Sequence, residues 1–103
     1  MRYRFTKEAR ADVREAKAFI GKDDDKRKRD KFAAAVEHAI HSLLEYPYRG
    51  SPYELQTRRI MLLGFDYAMI YIPTNTEIQI VAVTHTSRDP RHWHHCITGE
   101  HSE

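Results

Sequence analysis

Between Lys26 and Tyr46 apolar residues recur every three or four positions: Phe32, Ala35, Val36, Ala39, Ile40, Leu43 and Leu44. That spacing puts them on one stripe of a helix. The helix is predicted to run from about Lys26 to Tyr46 and to stop before Pro47, since a residue preceding proline avoids helical backbone. His38 and His41 lie off the stripe and read as exposed. A narrower stripe, Ala9, Val13, Ala16 and Ile20, predicts an amphipathic helix over 7–20. Thr6 offers an N-cap hydroxyl, Glu8 puts negative charge in the first turn, and Gly21 ends the helix. Between the apolar positions, Arg10, Asp12, Arg14, Glu15 and Lys17 make a charged face.

The remaining pattern has period two. "RYRF" at 2–5 reads as a short first strand, and "TRRIMLL" (57–63), "DYAMIYI" (66–72) and "EIQIVAVTH" (77–85) read as three more. Short turns separate these three, so an antiparallel meander is expected. "YPYRGSPYE", with two prolines and a glycine, reads as a loop. In the second meander strand Ala68, Ile70 and Ile72 share one face, and Tyr67, Met69 and Tyr71 share the other. In the third, Ile78, Ile80 and Ala82 oppose Gln79, Val81, Val83 and His85. One sheet face is expected to take the two helices. The other, aromatic and half-polar, suits a partner or solvent. The predicted class is α+β, in the order β-α-α-β-β-β, with the helices on a curved antiparallel sheet.

Composition narrows the function classes. At 103 residues the chain is the size of one domain, with 96–103 expected as a loose tail. The start "MRYRFTKEAR" lacks the apolar run of a secretory signal, and no stretch is long and apolar enough to span a bilayer. Cys96 is the single cysteine, which fits a reducing cytoplasm. A formal charge of +2 and a pI near 8.8 are mild, so the placement of charge matters more than its sum. "KDDDKRKRDK" interleaves both signs and reads as a turn and a solvated helix start rather than a nucleic-acid patch.

The chemistry concentrates in "VTHTSRDPRHWHHC" (83–96), where His85, Arg88, Arg91, His92, His94 and His95 follow an apolar run. A metal site, a nuclease centre and a solvated tail all fit such a cluster. Sequence neighbours rarely supply a tetrahedral ligand set, and no second Cys/His pair exists. No metal and no cofactor are therefore expected. Asp89 and Pro90 suit the start of a final helical turn, and Trp93 has the size to lock that turn onto the sheet or a partner.

The chain resembles the ParE branch of the RelE/ParE toxin superfamily, the plasmid-stabilisation type of type II toxin–antitoxin proteins. The resemblance runs from "FTKEARADVREAKAFI", which carries an A-x-x-D-[LIV] helix, through "LLEYPYRG" and "RRIMLLGFDYAMIYI". It closes on "IQIVAVTHTSRDPRHW", where V-x-H-x-x-R-D-P-x-x-W is the most diagnostic piece. It implies a RelE/ParE-like fold with a short C-terminal helical turn. It also implies a toxin neutralised by a cognate antitoxin, whose disordered acidic and apolar C-terminal segment folds over it in a heteromeric complex. The ParE-like branch is associated with inhibition of DNA gyrase. The RelE-like branch cleaves mRNA on the ribosome. A non-toxic remnant, kept for complex formation and operon control, is a third outcome.

Metal-independent RNA cleavage needs a base, an acid and cations around the phosphate. The candidates are Arg58, Arg59, Tyr67, Tyr71, His85 and Arg88, with His85 suited to proton exchange near neutral pH. The RelE-like enzymes cluster Lys and Arg on the central strands, whereas this chain has no lysine after Lys31. The preferred expectation is a non-enzymatic toxin that uses the same residues, with Asp89 and Trp93, to bind partners. Arg88 reads equally as an ion-pair partner of Asp89 or a helix acid and as an anchor for antitoxin or gyrase.

Overall fold

In a computed structural model of the chain, residues 1–22 and 25–87 are described. The elements are β1 (Arg2–Phe5), α1 (Lys7–Ile20), α2 (Lys26–Glu45), β2 (Ser51–Pro52), β3 (Arg58–Met61), β4 (Tyr67–Pro73) and β5 (Glu77–His85). Both helices fall where the periodicity puts them. Thr6 Oγ1 accepts from Ala9 N at 3.0 Å, and Asp25 Oδ1 accepts from Lys28 N at 3.2 Å, so each helix start has a side-chain cap. Gly21 closes α1 with φ at −100°, not in the left-handed region. Arg29 Nη1 donates to Gly21 O at 3.0 Å, and a Cβ on Gly21 would lie 2.5 Å from Arg29 Cγ. The glycine makes room for the α2 arginine. The longer helix ends at Glu45, one residue short of the predicted Tyr46.

The sheet has five strands in the order β1-β5-β4-β3-β2. It is mixed, which corrects the expectation of a wholly antiparallel sheet. β2 to β5 form the meander, but β1 pairs parallel with β5, from Arg2↔Glu77 to Phe5↔Ile80. The two helices carry the chain across one face to the far edge, and the meander then returns it to β1 running in the same direction. Arg4 and Glu77 fasten this parallel edge with an ion pair of 3.2 Å. A hydrogen bond from Gln79, and then Arg4, hold the Glu77 carboxyl below its ordinary range. β2 lies inside the stretch expected to be loop, and its two residues pair with Arg59 and Arg58.

The assignment of faces is also corrected. The aromatic face of β4 points at the helices. Met69, Tyr71, Ile78, Ile80 and Val83 join Phe32, Val36, Ile40 and Leu43 in the main core, with Tyr67 packed against it. Phe32 meets Phe65 and Tyr67 edge-on at 5.1 and 5.3 Å, so bulky rings fill the layer between α2 and the sheet. Ala68, Ile70, Val81 and Ala82 form a second cluster on the opposite face.

A β-bulge explains why strict alternation fails in β5. Ile70 pairs with Ala82 but Tyr71 pairs with Ile80, which leaves Val81 as the extra residue. Val81 and Ala82 thus share the far face, while Val83 turns to the helices. β1 ends just before this point, and α1 takes over the edge of β5. Thr6 Oγ1 donates to Val81 O at 3.4 Å, and Val83 N donates to Asp12 Oδ2 at 3.0 Å. Asp12 therefore belongs to the helix–sheet contact and not to a solvated face. No described helix is long and apolar enough to cross a membrane.

Candidate functional site

The candidate residues divide between the two ends of β4. At one end Arg58 pairs across the ladder with Tyr71. Tyr71 is fully buried. Its hydroxyl donates to Pro47 O at 3.0 Å and accepts from Gly50 N at 2.9 Å. Burial pushes the phenol above its ordinary pKa, a rise opposed by the Gly50 N–H and the Arg58 charge. Arg58 Nη1 donates to Tyr48 O at 3.1 Å and to Gly50 O at 2.5 Å, and its guanidinium lies 4.9 Å from the Tyr48 ring centre. A Cβ on Gly50 would lie 2.7 Å from Arg59 O and 2.7 Å from the Tyr71 hydroxyl. This is a clamp on the loop after α2. It takes Tyr71 out of the set of surface residues expected to meet a partner, because its polar atom is already shared by two backbone groups.

Arg59 follows Arg58 on the strand and so points to the opposite face, as its partner Ile70 does. Its guanidinium lies 4.9 Å from the Tyr53 ring centre. The two adjacent arginines cannot grip one phosphate from one side.

At the other end of β4, Tyr67 pairs with His85, and their rings meet edge-on at 5.3 Å. His85 Nδ1 accepts from Ser87 N at 3.1 Å and lies 2.8 Å from Ser87 Oγ. With Nδ1 accepting, the neutral ring carries its proton on Nε2. The pair opens on a cleft of about 420 Å³ between α1 and β5, lined by Asp12, Glu15, Phe19, Val83 and Thr84 among others. Phe19 stands 62% exposed at its rim.

Tyr67 and Tyr71 are four residues apart on one extended strand, a separation of about 13 Å. General acid–base work requires groups within about 3 Å of the atoms they protonate or deprotonate. Arg58 and His85 therefore do not serve one reacting phosphate, and Arg59 is on the wrong face to join either. Arg88, Asp89 and Trp93, the expected C-terminal helical turn and the run from His92 to Cys96 all lie outside the described residues. The pattern gives no reason to single out Tyr48, Tyr53 or Phe19. The first two stand beside Arg58 and Arg59 only because the loop after α2 folds back. Asp12 sits in the A-x-x-D motif, and its bond to Val83 N gives that acid a physical purpose.

Comparison with known proteins agrees with this architecture. The sequence profile of the family described as "ParE toxin of type II toxin-antitoxin system, parDE" matches residues 3–90. A solved chain from the "Chromosomal ParDE TA system from P. aeruginosa" superposes with a TM-score of 0.72 at 19% identity, over 82% of this chain and 95% of that one. A search of curated proteins found no match. The match covers most of the chain and, among the described residues, both helices and the five strands apart from Arg2: the chain belongs to the ParE toxins of type II toxin–antitoxin systems.

Proposed function

We propose that this toxin acts in the cytoplasm by inhibiting DNA gyrase and is neutralised by a cognate antitoxin in a heteromeric complex. The observation that carries the non-enzymatic reading is the separation of Arg58 from His85 along β4, with Arg59 turned to the other face. Binding a macromolecule needs no convergence on one atom, so residues spread along a sheet serve it well. Arg59, Tyr67 and His85 remain in the partner surface of this reading, together with Arg88, Asp89 and Trp93. Arg58 contributes through the loop it holds. The antitoxin segment lays apolar side chains into the cleft between α1 and β5, where Phe19 supplies an exposed anchor. The ordering cost of such a segment leaves the complex open to antitoxin proteolysis.

The test is induced expression with and without the neighbouring short reading frame. Growth arrest with filamentation and loss of supercoiling by purified gyrase is the expected outcome, and co-expression of the neighbour restores growth. Rapid loss of translation with transcript cuts mapped by primer extension would replace this reading with ribosome-dependent RNA cleavage. An unaffected culture would replace it with a non-toxic remnant.

A further inference from the structure

The loop between α2 and β3 carries an aromatic and cationic surface, of which the toxin reading uses only the clamp made by Arg58. Arg49 N donates to Tyr46 O at 3.0 Å, closing a turn that brings the two side chains together. The Arg49 guanidinium lies 4.7 Å from the Tyr46 ring centre, and that of Arg58 lies 4.9 Å from Tyr48. Tyr46 and Tyr48 are 58% and 65% exposed. Neither arginine has a carboxylate partner among the described residues; the ion pairs there are Arg4–Glu77 and Lys26–Asp30. Two hollows of about 490 and 600 Å³ flank the loop and share Glu45 and Arg49 as walls. His38 and His41 line the second.

We propose that the guanidinium–tyrosine stacks of residues 46–58 bind single-stranded nucleic acid, with bases on the Tyr46 and Tyr48 rings and phosphates on Arg49 and Arg58. Large exposed rings in a loop ordinarily cost entropy when a ligand orders them. Here the loop is already fixed by the Tyr71 hydroxyl and by Arg58, so that cost is met in folding. Each ring has a guanidinium over it and belongs to a residue more than half exposed, which suits a flat base. Cations held by π-faces and backbone carbonyls keep their charge uncompensated for an incoming phosphate. A duplex hides its bases and an acidic peptide has none to stack, so both use the charge and waste the rings.

The test is fluorescence anisotropy on the full chain with labelled oligo-dT and oligo-U strands of about 12 nucleotides, within the span common to single-strand binders. A duplex of equal length and a polyglutamate peptide compete. Both strands are expected to bind, and the preference between them reports whether DNA or RNA is the better ligand. The duplex and the peptide are expected to displace them poorly. Tyr48→Ala and Tyr46→Ala each weaken binding about tenfold, and Tyr48→Phe keeps it. Arg49→Gln lowers the slope of log affinity against log salt by about 0.7. Circular dichroism confirms that each variant is folded, and Tyr48→Leu replaces Tyr48→Ala if the latter is not. Equal binding of the duplex, efficient displacement by polyglutamate, or loss with Arg49→Gln but none with the tyrosine variants would each overturn the proposal. Binding is read directly, so its outcome is independent of whether gyrase is the toxin's target.

Discussion

Tyr71→Phe removes one oxygen atom and nothing else from the core. That oxygen accepts from Gly50 N and donates to Pro47 O, and Gly50 is buried. Two hydrogen bonds of about 1 kcal/mol net each are lost. The Gly50 N–H is also left without a partner, for which desolvation costs about 1–3 kcal/mol. Pro47 is half-buried, so water can replace its lost donor and the carbonyl adds little. The expected destabilisation is therefore about 2–4 kcal/mol, or roughly 10–25 °C in Tm for a domain of this size. Urea unfolding followed by circular dichroism measures it as a lower midpoint at unchanged slope. Tyr48→Phe, which alters an exposed ring, serves as the control and should change stability by less than about 0.5 kcal/mol. A Tyr71→Phe protein within about 0.5 kcal/mol of the parent would show that the loop does not depend on this hydroxyl. The account of the clamp would then be wrong.

Four further outcomes follow from the same contacts. Gly50→Ala sets a Cβ 2.7 Å from the Arg59 carbonyl, a backbone atom with no rotamer to escape into, so thermal melts should show a loss of at least about 2 kcal/mol. Asp12→Ala strands the Val83 N–H and is expected to cost about 1–3 kcal/mol, with Asp12→Asn recovering part of it because an acceptor oxygen remains. Phe32→Ala opens a cavity among Phe65 and Tyr67 and should cost about 3–5 kcal/mol, a large share of the stability of an ordinary domain, read as a lower midpoint in urea. The fourth concerns alkaline pH. The folded state keeps Tyr71 protonated above the ordinary tyrosine value of 10.0, so its contribution is complete below that pH and is lost as pH rises through the raised folded value. An ultraviolet titration should show a late tyrosine ionisation that coincides with unfolding, and that late step should vanish in Tyr71→Phe.

The helices were legible because their signals are local. The Phe32-to-Leu44 stripe repeats over several turns, and Thr6 and Asp25 are cap residues next to the backbone they satisfy. The third meander strand was legible from Glu77 to His85 for the same reason. What failed is non-local. Nothing in "RYRF" says whether its neighbour runs parallel, since that depends on how many strands the meander adds before returning. "YPYRGSPYE" hides a two-residue strand whose pairing comes entirely from Arg58 and Arg59. The candidate site was legible as a list of side chains and illegible as an arrangement. Arg58 reads from the sequence as a free cation but also holds two carbonyls through Nη1, and Tyr71 reads as a surface ring but is core.

The bulge at Val81 is where these threads meet. Without it, alternation from Ile80 would send Ala82 to the helices and Val83 and His85 to the far face, away from α1. With it, Val83 enters the core, its N–H turns to Asp12, and His85 meets Tyr67 beside the cleft. A single extra residue thus decides on which side of the sheet the imidazole is displayed. It acts beyond the end of β1, where no described strand competes for the β5 edge and Asp12 of α1 and the N-cap Thr6 can hold it. The A-x-x-D helix and the V-x-H strand are therefore coupled parts of one device. The helix acid fixes the bulged edge, and the bulged edge aims the histidine.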